Sequence, residues 1–557
     1  MPAAASSSRA YAAVDLGATS GRVMLGTVEA GEVRMTEVHR FANGPHADSL
    51  RPGATLRWDV ERLFDETLTG LAAAARAAAA EGRVLAGIGV DSWGVDYGLL
   101  DPAPVPAADA DTRATAGVGA VDIPGRDADT LAPTAVGAAA IPARDADTLA
   151  PTAVGAAAIP ARVLSGHVDH YRGADPAGPA DAAIAIPADR VYAISGVPAQ
   201  PINTSYRLRA ELLRGATGGT LLLVPDLWVF LLTGEVGAER TIASTTQLLD
   251  ARSGEWSPEL IDGWDLGGFT FPDPLAAGSP AGVTLPQITE RIGSAAPVPV
   301  FRVAEHDTAS ALAFAEPDAA QLLVSSGSWS LAGLCLEAPG LSREAREAGF
   351  TNESGVTGST LLLRNLAGMW LLVECARQWS DELGHPLDPI ALVQEAAARG
   401  DLAAPVFDVG DERLLAPGDM PERIARLCME SGQAPPDGML GTVRSIVESL
   451  AAAYAEAARA VSRLTGSPVR GVRIVGGGSR NELLCRRTAE LTGLPVIAGP
   501  AEASAFGNLA VQLVAAGEFS SLAAVYVAGG AAGGGIAQYE PSSRPRHPDP
   551  LTERTTA

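Results

Sequence analysis

Tyr11-Ala-Ala-Val-Asp-Leu-Gly-Ala-Thr-Ser-Gly-Arg-Val-Met-Leu25 is an apolar run, a turn of small residues and a second apolar run. The pattern predicts two strands joined tightly, with Asp15 at the end of the first. Gly17 and Gly21 let the chain turn and let an anion approach the backbone, and Thr19 and Ser20 add hydroxyl donors. Asp15 suits Mg²⁺, directly or through water, because hard cations take carboxylate oxygens and keep part of their hydration. Arg22 adds a fixed positive charge. Gly, Ser and Asp are also ordinary turn formers, so the stretch alone reads equally well as a plain β-hairpin.

A second unit of the same design follows some three hundred residues later, Leu322-Leu-Val-Ser-Ser-Gly-Ser-Trp-Ser-Leu-Ala-Gly-Leu334. Two such turns, one per half, suit a nucleotide clamped between domains. A third small-residue turn, Gly476-Gly-Gly-Ser-Arg-Asn481, ends an apolar strand predicted at Gly471 to Val475 and opens a helix over Asn481 to Thr492. Elsewhere the pattern predicts strands at Val23 to Val28, Val33 to Phe41, Val84 to Val90 and Gly94 to Leu100. Helices are predicted at Val60 to Ala80, Tyr206 to Arg214 and Val443 to Thr465, and Leu221 to Leu232 is a largely apolar segment. The result is an α/β chain with mixed sheets.

At 557 residues the chain exceeds what one hydrophobic core supports, and 47% hydrophobic content is enough for two. Two domains around a cleft are expected. A net charge of −24 argues against nucleic acid or an anionic membrane as partner. All 41 basic residues are arginine. The absence of lysine excludes a Walker-type P-loop, a protein-kinase site and any Schiff-base mechanism. Cys335, Cys375, Cys428 and Cys485 are too scattered for metal spacing and too few for a disulfide framework, so they read as buried thiols. The first ten residues lack an apolar signal region and no apolar run has the length of a bilayer span, so the expectation is a cytoplasmic protein, a monomer or small homo-oligomer.

Arg126 to Ala143 reads RDADTLAPTAVGAAAIPA and is repeated letter for letter at Arg144 to Ala161, after a degenerate copy at Ala108 to Gly125. This Ala-, Pro- and Asp-rich stretch lacks the apolar surface to fold alone, and about 103–163 is read as a disordered surface insertion. The expected division is 1–303, 304–538 and a disordered tail, 539–557.

Two further motifs carry chemistry. In Val303-Ala-Glu-His-Asp-Thr-Ala-Ser-Ala-Leu312, Asp307 is either a helix N-cap or a general base taking a proton from a sugar hydroxyl. In Gly89-Val-Asp-Ser-Trp-Gly-Val-Asp96, Asp91, Trp93 and Asp96 suggest either a polyol site or a strand-end bulge.

Together these residues resemble the FGGY carbohydrate kinases of the actin, hexokinase and Hsp70 ATPase superfamily. The carriers are VDLGATSGR (14–22), GVDSWGVDYGLLD (89–101), VPDLWVFLLTGE (224–235), TTQLLD (245–250), EHDTASA (305–311), SSGSWSLAGL (325–334), TNESG (351–355), NLAGMWLL (365–372), VGGGSRN (475–481) and AGPAEASAFGN (498–508). The resemblance runs from about Ala13 to Ala523 and skips the insertion. It implies two actin-like, ribonuclease H-like domains and ATP- and Mg²⁺-dependent phosphorylation of a small ketose. The implied substrate is L-rhamnulose, phosphorylated at O1, with L-fuculose or L-ribulose as alternatives; a non-catalytic sugar- and ATP-binding regulator is the remoter one. It places Ala18, Thr19, Ser20, Gly21 and Arg22 on the ATP phosphates, and Ser328 and Gly477 on the nucleotide. Gly94, His306, Asp307, Thr308 and Asn365 fall at sugar-binding positions, with Asp307 the proton acceptor. Two departures stand out. Tyr171-Arg-Gly-Ala-Asp175 replaces a family Tyr-Arg-Asp, and Val373 stands where a glutamine is expected to meet ATP.

Overall fold

The computed structural model describes residues 8–45, 56–100, 168–173, 177–317, 320–400, 402–529 and 535–541. Two mixed β-sheets share one plan. In the first, β1 (Arg9–Leu16), β2 (Ser20–Glu29) and β3 (Glu32–Ala42) form an antiparallel meander. Helix α1 (Val60–Ala80) then leads into β4 (Val84–Ser92), parallel to β1; β5 (Pro280–Val283) and β6 (Pro299–Phe301) extend the sheet, β6 parallel to β4 and β5 at the edge. Helix α2 (Asp307–Ala311) joins this sheet to the second.

The second sheet repeats the scheme. β7 (Gln321–Ser326) turns into antiparallel β8 (Trp329–Leu336), which is followed outward by β10 (Thr360–Ala367) and then by β9 (Phe350–Ser354) at the edge. Helices α3 (Trp370–Leu383) and α4 (Gly438–Thr465) precede β11 (Gly471–Val475), which pairs parallel with β7. Helix α5 (Glu482–Thr492) leads to β12 (Val496–Ala498), parallel to β11. After α6 (Ala503–Ala515), β13 (Ala537–Tyr539) closes the edge.

β1 is buried from Ala10 to Leu16 because helices cover both faces, and a strand buried on two sides reads as an apolar run, here Ala10 to Val14, with Asp15 near its end paired to Arg22. On one face it shares a core with Leu63, Leu71, Ala74 and Ala78 of α1. On the other, Tyr11 and Ala13 meet Ala505, Leu509 and Leu513 of α6. Helix α6 thus returns to the first sheet, where Asn508 Nδ2 donates to Asp91 Oδ1 at 2.6 Å and Gln512 Nε2 to the Ala12 carbonyl at 3.0 Å. Helix α2 is held between the halves: Ala309 and Ala311 share a core with Leu323, Leu331, Leu363 and Val475 of the second sheet.

The two-domain α/β reading with mixed sheets stands, and the structure refines its elements. α1 has the predicted bounds, and α4 begins at Gly438. Leu221 to Leu232 splits into a strand, Gly219–Leu223, and a helix, Val224–Thr233, with Pro225 in the helix's first turn, where a missing N–H costs nothing. The strand expected from Gly94 starts only at Tyr97, because Val95 takes a left-handed φ of 67°. The tail does not begin at 539: Tyr539 pairs with Val496 and carries the Arg486 guanidinium over its ring at 5.5 Å. The four cysteines are buried thiols outside any disulfide. No helix among the described residues is long and apolar enough to cross a membrane. The insertion at about 103–163 and the tail beyond 541 lie outside the described residues.

A Cβ on Gly507 of α6 would stand 1.8 Å from the Ser310 carbonyl oxygen of α2. Gly507→Ala is therefore expected to push the two helices apart and to cost about 1–3 kcal/mol, read as a lower urea midpoint.

Candidate active site

A cavity of about 330 Å³ lies between the sheets, within the roughly 300–1,000 Å³ of small-molecule sites. The β1–β2 and β7–β8 turns face each other across it, and the Thr19 and Ser328 hydroxyls touch at 3.3 Å. Both turns are held from behind through their carbonyls. Asn43 donates its side-chain amide to Gly17 O at 2.7 Å and its backbone N–H to Thr19 O at 3.1 Å. Behind the second turn, Gly368 and Trp370 donate to Ser328 O and Met369 to Gly327 O. Gly368 must be glycine, because a Cβ would lie 2.5 Å from the Trp329 carbonyl carbon.

Of the residues singled out from sequence, Asp15, Ala18, Thr19, Ser20, Arg22, Gly94, His306, Asp307, Thr308, Ser328, Asn365 and Gly477 all line this cavity. Gly21 does not. It lies within β2, and a Cβ there would meet the Phe41 ring at 2.2 Å, so its smallness serves packing beneath the turn. The triple glycine divides its labour similarly. Gly476, at φ 80°, and Gly478 press against Ser326, while a Cβ on Gly477 would meet nothing within 4 Å. Gly476 and Gly477 both line the cavity, and of the three only Gly477 has open space where a Cβ would stand.

Arg22 is already engaged. Its Nη2 donates to Asp15 Oδ2 at 2.6 Å, and its Nε lies 3.0 Å from Glu502 Oε2. β1 and β4 pair so that Asp15 sits beside Asp91. Burial, and then the Asp15 charge, hold the Asp91 carboxyl well above the usual carboxylate range.

The structure corrects the polyol reading of 89–96. Trp93 and Gly94 line the cavity, but Asp91 and Asp96 do not. Asp96 is fully buried, accepts the indole N–H groups of Trp58 (2.5 Å) and Trp93 (2.9 Å), and pairs with buried Arg207. Its work is to fix the strand end. Trp58, in turn, stacks on Trp93 and on His170, the latter beside Tyr171, so the segment following the insertion closes one wall. Tyr171 accepts from Trp329 Nε1 at 3.2 Å, and Arg172 donates to Leu415 O at 2.8 Å, which ties that wall to the second half despite the departure at Gly173. At the other departure, Val373 lines the cavity with an apolar surface. Its neighbour Glu374 cannot replace a glutamine there, being buried and held by Arg377 and the Gly418 N–H.

Asp307 opens α2, yet the N-cap is His306 and no side chain caps the helix, so the capping reading fails. The strand-like segment leading to it is fixed by Glu239 Oε2, which accepts from Glu305 N at 3.1 Å, and by Thr241 Oγ1, which accepts from His306 N at 3.2 Å. Burial raises the Asp307 carboxyl above its usual range, against the opposing pull of His306 and with a further rise from Asp15. Burial disfavours charge on His306, but Glu353 and Asp307 outweigh it and hold the imidazole above its ordinary pKa. Asn365 Oδ1 is buried without a hydrogen-bond partner and belongs to the cavity wall, a ready acceptor for a ligand hydroxyl.

Glu353, Gln200, Asn203, Thr245 and Trp329 also line the cavity without having been assigned there from sequence. Glu353 lies in the Thr-Asn-Glu-Ser-Gly stretch that served only to carry the resemblance. A carboxylate in a strand beside other polar residues was its one local signal.

The description of the FGGY carbohydrate kinase N-terminal domain matches residues 184–313 and that of the C-terminal domain residues 322–516. Curated relatives include the rhamnulokinase of Bacteroides thetaiotaomicron, 32% identical over 92% of this chain and 92% of that protein, and the rhamnulokinase of Pectobacterium carotovorum, 33% identical over 92% and 89%. Among solved structures, xylulose kinase from Rhodospirillum rubrum superposes with a TM-score of 0.65 at 16% identity, covering 96% of this chain and 95% of that one. Plasmodium falciparum glycerol kinase with ADP gives 0.66 at 11%, covering 96% and 94%. These structures share the fold. With such relatives along nearly its whole length, the chain belongs to the FGGY family of carbohydrate kinases and is a sugar kinase.

Removing the Asp96 carboxylate would leave the buried Arg207 guanidinium without the carboxylate it pairs with. Asp96→Ala is expected to lower unfolding free energy by about 3–5 kcal/mol, measured by urea denaturation.

Proposed function

We propose that the protein transfers the γ-phosphoryl group of ATP to O1 of L-rhamnulose, giving L-rhamnulose 1-phosphate and ADP, with Asp307 as general base. One juxtaposition carries this reading: the Asp307 carboxylate lines the same cavity as the two hydroxyl-tipped turns. Asp307 takes the proton of the sugar hydroxyl as its oxygen attacks the γ-phosphorus, the bond from that phosphorus to the β,γ-bridging oxygen breaks, and ADP leaves. The ketose assignment is supported by relatives named rhamnulokinase over about nine-tenths of the chain.

In this reading Ala18, Thr19, Ser20, Arg22 and Ser328 hold phosphates, and Gly477 lets the adenosine approach the backbone. Gly94, His306, Thr308 and Asn365 hold the ketose. The ionisable wall consists of Asp15, Arg22, His306, Asp307 and Glu353, apart from the Tyr171 phenol, so carboxylates outnumber cations. A bare polyphosphate would be repelled, and the nucleotide is expected to enter with Mg²⁺. Among the described residues no three His, Cys, Asp or Glu side chains converge as a metal cage. Asp15, at the mouth of the phosphate turn, would hold the ion through water beside the nucleotide's own oxygens; when bound, Mg²⁺ neutralises phosphate charge.

Asp307→Asn is expected to lower kcat at least about a hundredfold while nucleotide affinity by calorimetry stays within a few-fold. Undiminished turnover would rule the base out. In a ketose panel, kcat/KM should favour L-rhamnulose; a tenfold preference for L-fuculose or L-ribulose, about 1.4 kcal/mol of transition-state discrimination, would reassign the substrate.

A further inference from the structure

Glu353 enters the cavity from β9 of the second sheet, whereas His306 and Asp307 belong to the segment joining the sheets. Glu353 Oε2 stands 3.2 Å from His306 Nδ1, at ion-pair distance though off the hydrogen-bond line, and His306 Nε2 lies 3.5 Å from Asp307 Oδ1. The imidazole therefore has a carboxylate at each ring nitrogen.

We infer that Glu353 is a positioning residue for phosphoryl transfer: it fixes the His306 ring as an imidazolium with Nε2–H turned on Asp307, and so couples the base to the packing of the second sheet. This rests on Asp307 being the base, as proposed above. The frame around the three residues is tied on both sides. Asn352 N donates to Gly196 O at 2.9 Å and Ser354 N to Ser244 Oγ at 3.0 Å, so the neighbours of Glu353 are fastened to the first half of the chain. His306 N is fastened to Thr241 Oγ1. If the second sheet shifts away, Glu353 leaves the imidazole.

The charged groups facing His306 are Glu353 from β9, Asp307 beside it and Glu239 from the short strand Ala238–Glu239. Those acting on Asp307 are His306, Asp15 of β1 and, through their mutual repulsion, Asp91 of β4. The sign follows from these neighbours. Removing the Glu353 charge lets His306 lose its proton at lower pH, Asp307 then lacks an adjacent cation, and the base holds its own proton to higher pH.

The test is Glu353→Gln in the full chain, with steady-state kinetics across pH and histidine NMR, the His306 signal being assigned by its loss in His306→Asn. The acid limb of kcat is expected to move upward by about one pH unit, with kcat recovering as pH rises and the ketose KM changing less than about threefold. His306 should stay protonated to higher pH than exposed histidines in the parent protein and titrate about one unit lower in Glu353→Gln. Glu353→Asp, which keeps the charge, should restore part of the limb. A ketose KM raised tenfold or more with an unmoved limb would make Glu353 a sugar ligand and overturn the inference, as would a His306 titration unaffected by the substitution. The NMR arm needs no turnover, so a failure of the kinase reading and a failure of the Glu353–His306 coupling are told apart.

Discussion

Thr19 and Ser328 lie 309 positions apart and touch through their hydroxyls. That contact requires each turn to project from a central strand, each strand to be covered on both faces, and the two sheets to face one another. β1 meets the requirement with an unbroken apolar run and β7 with Leu322, Leu323 and Val324. The carbonyl anchors behind the turns, Asn43 in one half and the start of α3 in the other, then keep two short and intrinsically pliable segments in place. The smallness of Gly368 and Gly476 is the same constraint seen from the opposite side: backbone must approach backbone there, and a methyl group would prevent it, while at Gly478 it would strike the Ser326 side chain.

Charge is arranged as strictly as shape. A chain without lysine places arginine in its cleft, and Arg22 is already shared between Asp15 and Glu502. The cleft consequently stays acidic overall, which suits a ligand bearing its own cation. Deeper in the first half, Arg302 bridges Asp226 and Glu305 in a fully buried cluster, and burial pushes the nearby Glu239 carboxyl up to about 7. Glu239 nevertheless spends one oxygen on backbone N–H groups that hold the His306–Asp307 segment. Polar groups remote from the cavity thus set the position of those lining it.

Much of the fold was legible because its signals are local. An alanine-rich amphipathic stretch specifies α1, and apolar runs ending in small residues specify β1–β2 and β7–β8. Where local signals were incomplete, boundaries moved: Val95 took a left-handed conformation and shortened its strand, and Tyr539 joined a sheet whose other strands are distant in sequence. Most of the candidate site was legible for the same reason, since turn residues both form the turn and face the cleft. Gly21 misled because strand alternation turns it towards Phe41, and Asp96 because a carboxylate near a glycine and an indole looks the same whether it meets a sugar or a buried arginine.

Residue chemistry along the chain was sufficient for the class of fold and for singling out the two small-residue turns and Asp307, all of which line the cavity, because each depends on neighbours within a few positions. Which carboxylates face the cleft, which pair with arginine, and that Glu353 reaches His306 were decided only by tertiary structure. Those outcomes depend on how two sheets and a returning helix pack, and on the cost of leaving a buried charge without a partner, which no local pattern records.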